Sequence, residues 1–335
     1  MPARHYGDAM TTDLSTLRRI PEGGLRQVFP EGDVHIAVDD AELAEYGREL
    51  GLRTLLVENA GELPPEANVA VFLRNGLVTR DVRRTFKGMR ALLIPISSFD
   101  PTLEIAKYTM RLVLETDYEK ACKWNRYWAR RIAEESGALI FSNSAGTDLK
   151  CSLAMELNAS AWLNPAIKPG QWVSIAAYAE MSITAPSSKD WHGAFTIEGT
   201  AVASGVLVAT DARVTAEGAE RIERAKRVRD EIAVQGGIRL ELENSRLVSA
   251  VGDSGKDFTE AIKDATNPEY DGHVLELGIG TNMALLPHIE WQYNSQLNEG
   301  AGPVHLGFGE GMTGAHMDFV VPDGDHRFER TRQNG

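Results

Sequence analysis

The run Ala91-Leu-Leu-Ile-Pro-Ile96 has no charged or hydrogen-bonding side chain at any position. A strand with one wet face alternates; a continuous apolar strand belongs in a parallel sheet covered by helices on both sides. The flanking sequence agrees. Val34–Val38, Arg53–Val57 and Val69–Leu73 read as further short strands, with helices expected over Ala41–Leu50 and Asp81–Lys87. Asp39 and Asp40 are placed to cap the first of these helices. Pro101 is suited to begin another, where its missing N–H leaves no hydrogen bond unmade. A long helix over Tyr118–Ser136 then leads to a strand at Ala138–Phe141. Strand and helix alternating at this spacing predict an α/β sandwich with a mostly parallel sheet over residues 1–142, behind a polar leader at 1–30.

Near residue 143 the pattern turns β-rich. Strands are expected at Asp148–Met155, Ser174–Thr184, Phe195–Ile197 and Val206–Ala209, and Arg239–Glu243 and Leu247–Val251 flank a hairpin turn at Asn244-Ser245. Two helices interrupt them, the charged Glu217–Ile232, whose Glu/Arg spacing suits a solvated face, and Phe258–Thr266. This predicts a β-rich α+β domain over 143–322 and a frayed polar tail over 323–335.

The chain is long enough for two cores, and 43% hydrophobic with 25% charged residues suits a soluble globular protein. A net charge of -13 argues against nucleic acid as a partner, because that binding rests on Lys and Arg. Trp124 and Trp128, beside Lys123, Arg126, Arg130 and Arg131, are accordingly read as packing on the sheet rather than stacking on bases. Cys122 and Cys151 make no disulfide framework, and no segment has the length or apolarity of a membrane span. The expectation is a cytoplasmic protein without membrane or nucleic-acid partners.

Candidate chemistry gathers in the second half. In Gly314-Ala-His-Met-Asp-Phe-Val-Val321, His316 and Asp318 share one face of a strand while Met317 and Phe319 share the other. A His-x-Asp pair can hold a metal or perform acid–base chemistry. Three more candidates precede it: Glu180 in Ala-Tyr-Ala-Glu-Met-Ser-Ile-Thr, Glu276 in a Gly-rich turn, and His305 at the end of a second Gly-rich strand. Ionisable groups in apolar β surroundings are generally paired or metal-bound. Three carboxylates and two imidazoles suffice for two divalent ions sharing a carboxylate, a pair able to polarise a carbonyl and generate hydroxide. The plain alternative puts Glu180 and Glu276 on exposed sheet edges and makes His305 a hydrogen-bonded core histidine. Gly278-x-Gly280 lacks the third glycine and the acidic residue of a dinucleotide fingerprint. His192 and His288 read as surface or packing residues, with His192 near Glu180 in sequence.

Gly146-Thr-Asp-Leu149, Glu180-Met-Ser-Ile-Thr-Ala-Pro186, the Arg239–Val251 hairpin, Glu276-Leu-Gly-Ile-Gly-Thr-Asn282, His305-Leu-Gly-Phe-Gly309 and His316-Met-Asp318 occur in that order. In this order they resemble the thermophilic-type metallo-aminopeptidases (aminopeptidase T and S) and their relative 2,5-dihydroxypyridine 5,6-dioxygenase. The aminopeptidase branch implies a homodimer and a two-metal site, with zinc or cobalt held by Glu180, Glu276, His305, His316 and Asp318. The dioxygenase branch implies one Fe(II) on two histidines and a carboxylate, but its first histidine falls where this chain has Glu276. Thr147 and Asp148, following Gly146, are candidates to reach a substrate in the cleft between domains, with a turn-capping carboxylate as the plain alternative for Asp148.

Two positions depart from the aminopeptidase pattern. Met312 stands where the family has a tyrosine, and Glu299, the local candidate for a general base, is one residue out of register. The preferred expectation is a metal-dependent hydrolase acting on a peptide or amide-like small molecule. A ring-cleaving Fe(II) dioxygenase is the alternative, and Met312 raises a third reading, a peptide-binding relative without turnover.

Overall fold

The apolar run lies where its composition requires, inside an all-parallel sheet. In this computed structural model, which describes residues 21–76, 79–135, 137–185, 194–211 and 213–329, a short helix at Leu25–Val28 precedes β1 (Val34–Val38), β2 (Arg53–Leu56), β3 (Asn68–Phe72) and β4 (Arg90–Ile94). Helices Ala41–Glu49, Arg80–Thr85, Leu103–Glu115 and Tyr118–Glu134 lie between and after them. The first starts where expected because the Asp40 carboxylate accepts from the Leu43 N–H at 2.8 Å. The third begins at Leu103, two residues after Pro101, with Thr102 as its extended N-cap.

Thirteen further strands complete the described chain: β5 (Leu139–Ser142), β6 (Asp148–Leu153), β7 (Asn158–Ser160), β8 (Trp172–Ser174), β9 (Glu180–Thr184), β10 (Phe195–Ala203), β11 (Gly205–Ala209), β12 (Ile238–Glu243), β13 (Arg246–Gly252), β14 (Val274–Gly280), β15 (Val304–Phe308), β16 (His316–Val321) and β17 (Asp325–Phe328). The parallel sheet has the order β2-β1-β3-β4-β8; the other two run β13-β12-β10-β6-β5-β17 and β11-β16-β15-β14-β9-β7, and their pairings are antiparallel. Parallel α/β layers joined to antiparallel β layers therefore hold, the combination that the two sequence patterns predicted.

Three details differ from expectation. Ser174–Thr184 is not one strand: β8 pairs in parallel with β4, a short helix at Ala176–Ala179 turns the chain, and β9 begins at Glu180. The same apolar stretch thus serves two sheets, which periodicity cannot reveal. The strand after the long helix joins β6 and not the parallel sheet. Asp325–Phe328, expected to fray, instead pairs antiparallel with β5, and His326 and Phe328 pack against Trp128. That contact supplies the apolar partner that the polar composition of the tail concealed.

One core fills the space between the two antiparallel sheets. Met181, Ile183, Leu277, Ile279, Leu306, Phe308, Met317 and Phe319 meet Leu149, Cys151, Ile197, Leu240 and Leu242 there. Trp128 is buried in this core and Trp124 packs against it, as the amphipathic reading required. Both cysteines are buried and free. Two further clusters cover the two faces of the parallel sheet.

Candidate metal centre

The sheet β11-β16-β15-β14-β9-β7 carries all five expected ligands: Glu180 opens β9, Glu276 lies in β14, His305 in β15, and His316 and Asp318 in β16. Register decides their direction. Glu180 lies opposite Gly280, His305 opposite Gly278, and Gly307 opposite both Glu276 and Asp318. Directly opposed residues share a face, so all five side chains leave the sheet on the side away from the core.

Glu276 reaches that side through a bulge. Val274 and Glu276 would share a face in a regular strand, yet Val274 is fully buried in the core opposite Phe308. The register slips between them, and a bulge of this kind re-aims the side chains beyond it. The broken alternation explains why the sequence suggests a turn at Glu276 where the fold has a strand.

Glycines clear the floor beneath the cluster. A Cβ on Gly278 would stand 1.9 Å from His305 Cε1 and 2.0 Å from its Nε2. On Gly307 it would meet Glu276 Cβ and His316 Cε1 at 2.9 Å and Asp318 Oδ1 at 3.0 Å. Gly278 lets the His305 ring lie across β14 towards Glu180. The glycines that fail as a nucleotide fingerprint therefore have a steric use, and sequence reasoning missed it. Their signal was glycine at alternate positions of a strand that also carries Glu276.

The contacts form a chain. His305 Nε2 is 2.9 Å from Glu180 Oε2 and 3.9 Å from Asp318 Oδ1; His316 Nε2 is 3.0 Å from the same Asp318 oxygen and 3.3 Å from Glu276 Oε2. Asp318 thus stands between two imidazole–glutamate pairs. His316 Nδ1 lies 2.8 Å from the Gly309 carbonyl, a partner that holds a proton on Nδ1 and leaves Nε2 facing the carboxylates. Glu299, buried on the turn Gln296–Ala301, is near enough to feel the charges of Asp318, Glu180 and Glu276. Its neighbour Asn298 anchors that turn, accepting from the Tyr108 hydroxyl at 2.9 Å and donating to the Glu290 and Tyr293 carbonyls.

Glu180, His305, Asp318 and Glu299 are exposed by only 7, 1, 1 and 5%, which rules out the exposed-edge alternative for Glu180. Glu276 and His316 are the more accessible members. Four carboxylates against two imidazoles cannot all be ionised out of water without added positive charge. Protons supply some of it. Burial works against a charged His305, but Glu180, Asp318 and Glu276 raise its pKa to about 9. The same balance raises His316, through Asp318 and Glu276. Burial, then the charges of Asp318, Glu180 and Glu276, push Glu299 well above the carboxylate range. Burial raises Glu180 despite His305, whereas His316 holds Glu276 down at about 2 against its own burial.

The donor set fits a divalent cation. One ligand atom each from Glu180, Glu276 and His305 lie mutually within 4.8 Å. Apart from the imidazole–carboxylate approaches just described, Glu180 Oε2, His305 Nδ1 and both oxygens of Asp318 are buried without a hydrogen-bond partner. Buried polar atoms left in this state are uncommon and suit an ion.

Other expected residues fall elsewhere. Thr147 and Asp148 lie with β5 and β6 in the other antiparallel sheet; Thr147 Oγ1 accepts from the Val202 N–H at 3.0 Å, and the Asp148 side chain is exposed. Neither residue is brought to the cluster within this chain. Met312 offers its carbonyl, not a phenol, to its surroundings. His288 is 3.4 Å from Glu115 near the surface, and His192 lies outside the described residues.

Fold and cluster together define a class: a parallel α/β layer joined to an antiparallel pair of sheets, one of which buries carboxylates and imidazoles on its outer face. Residues 31–329 match the family described as crocagin biosynthetic protein CgnE/B, and the chain belongs to that family. No curated protein sequence matches it. Among solved structures it is similar to 2,5-dihydroxypyridine dioxygenase from Pseudomonas putida KT2440, at 13% identity and a TM-score of 0.45, covering 95% of each chain. It is also similar to wild-type AmpT from Thermus thermophilus, at 16% identity and a TM-score of 0.45, covering 93% of this chain and 94% of that one. Likenesses this distant carry nothing about chemistry. No helix among the described residues is long and apolar enough to cross a membrane.

Proposed function

We propose that this member of a biosynthetic family is a metal-dependent hydrolase, acting on a peptide or amide-like intermediate through a metal-activated water. The observation that carries the reading is Asp318 Oδ1 standing between His305 and His316, each of which also faces a glutamate. That arrangement offers two adjoining positions with a shared carboxylate. Zinc or cobalt bound there would supply Lewis acidity and acidify a water. Glu180 and His305 would hold one side, Glu276 and His316 the other. Glu299, buried beside Asp318, Glu180 and Glu276, is the group suited to move a proton between the water and a leaving group. Substrate would approach past Glu276 and His316, the more accessible members.

A second reading rests on the three residues His305, His316 and Asp318 alone. Two imidazoles and one carboxylate are the ligand set of mononuclear Fe(II) oxygenases. Elemental analysis of protein purified without chelator separates the readings: zinc or cobalt near two equivalents with amino-acid release from short peptides supports hydrolysis. One equivalent of iron with oxygen uptake on hydroxypyridines supports the oxygenase. Less than about a tenth of an equivalent after reconstitution, with His316→Ala and Glu276→Ala no different from wild type, overturns both and leaves peptide binding without turnover.

A further inference from the structure

The loop Gly309–Ala315 joins β15 to β16 and supplies the carbonyl that receives His316 Nδ1. It is held far more closely than a surface connection needs. Three consecutive carbonyls are engaged by one segment on the outside: Gly311 accepts from the Asp211 N–H, Met312 from the Thr215 N–H, and Thr313 from Arg221 Nη1 at 2.8 Å. Arg221 is mostly buried and its other terminal nitrogen pairs with Glu217. Inside the loop, the Glu310 carboxylate accepts from the Met312 N–H at 2.9 Å, the Thr313 N–H at 2.7 Å and the Thr313 hydroxyl. Asn267 Nδ2 donates to that hydroxyl at 2.8 Å. Gly309 has φ +76°, and a Cβ there would be 2.1 Å from the Ala315 carbonyl oxygen. The end of the charged helix Ala216–Gln235 presses on the same loop, for a Cβ on Gly218 would stand 2.0 Å from the Met312 carbonyl oxygen.

We propose that Glu310 and Arg221 are positioning residues for the metal centre: they fix the Gly309–Thr313 loop so that the Gly309 carbonyl holds His316 with Nε2 turned towards Asp318 and Glu276. The inference rests on the metal-site reading above. Neither residue touches the cluster; each acts through the loop, and the charged helix becomes part of the site's support. A ligand imidazole oriented by a carbonyl depends on that partner for its ring orientation and basicity, and a carbonyl in an untethered loop would not hold one direction.

The test uses the full chain and Co(II) as probe. Glu310→Ala and Arg221→Ala are expected to lower Co(II) affinity by about tenfold to a hundredfold and to alter its visible absorption. Arg221→Lys, which keeps a donor for the Thr313 carbonyl, should recover most of the loss. Long-range proton–nitrogen spectra of the histidines, recorded without metal, should show the hydrogen-bonded Nδ1 proton of His316 in wild type and its weakening in both alanine variants. Thermal unfolding identifies a variant that has lost its fold, in which case the other decides. Unchanged affinity, absorption and His316 resonances in both variants overturn the positioning role. Co(II) bound equally by wild type and His316→Ala overturns the metal-site reading instead, while the nitrogen spectra still judge the loop.

Discussion

Gly278→Ala tests the site through its floor. The added Cβ would lie 1.9–2.0 Å from the His305 imidazole, and ordinary contact needs about 3.5 Å, so the ring must retreat by about 1.5 Å. Gly278 is not among the residues with positive φ, so the backbone accepts alanine and the conflict is confined to the ring. His305 is 1% exposed and has nowhere open to go, so overpacking should cost roughly 1–3 kcal/mol. Ligand distances tolerate about 0.2 Å, so a shift of this size removes His305 from any ion and should lower Co(II) affinity by at least about tenfold. The double variant Gly278→Ala/His305→Ala supplies the check. Removing the ring makes room for the Cβ, so the stability penalty of Gly278→Ala should vanish in the His305→Ala background, a coupling of roughly 1–3 kcal/mol. Urea unfolding of the four proteins measures it. Additive effects with unchanged Co(II) binding would refute the placement of His305 over Gly278.

Three further outcomes follow from the same chemistry. His305 has a pKa of about 9 without metal, so binding at neutral pH must expel its proton; affinity should rise with pH up to that value, and titration calorimetry in two buffers of different ionisation heat should detect proton release. Burial lowers His326 to about 4, so the unfolded chain takes up a proton first: its contribution is complete above about pH 6.5 and is lost as pH falls towards 4. His326→Phe should flatten the acid limb of the unfolding temperature between those values. Ser245 has φ +62°, accepts from the Ile197 N–H at 2.9 Å and is 1% exposed. Ser245→Ala should cost roughly 1–3 kcal/mol and Ser245→Gly less, because glycine relieves the backbone while losing the same bond; equal losses in denaturant unfolding would contradict this.

Much of the layering was legible because it rests on local rules. Asp40 caps its helix, the apolar run at 91–94 lies inside the parallel sheet, and Asn244-Ser245 turns a hairpin with both φ values positive. The site residues were legible as types, and the shared face of His316 and Asp318 follows from the two-residue period of a strand. What the sequence hid depends on pairing between distant segments. The bulge at Glu276 is visible only against β15, and the clearing at Gly278 only once His305 lies opposite. The division of the stretch around 172–184 between two sheets required knowing that β4 had an open edge. Thr147 and Asp148 lie with the other antiparallel sheet, across the shared core from the cluster, a separation that local sequence does not carry.

Placing β8 beside β4 has a consequence for how the chain comes into being. A ribosome that has released β1 to β4 with their helices has released a sheet whose last edge is bare. That edge waits until Trp172–Ser174 emerges, after β5, β6 and β7, strands that belong to two other sheets. During that interval the unpaired side of β4 offers backbone donors and acceptors to any passing strand. Cutting the gene after residue 142 would make the interval permanent, so such a fragment should aggregate instead of folding as an independent α/β unit.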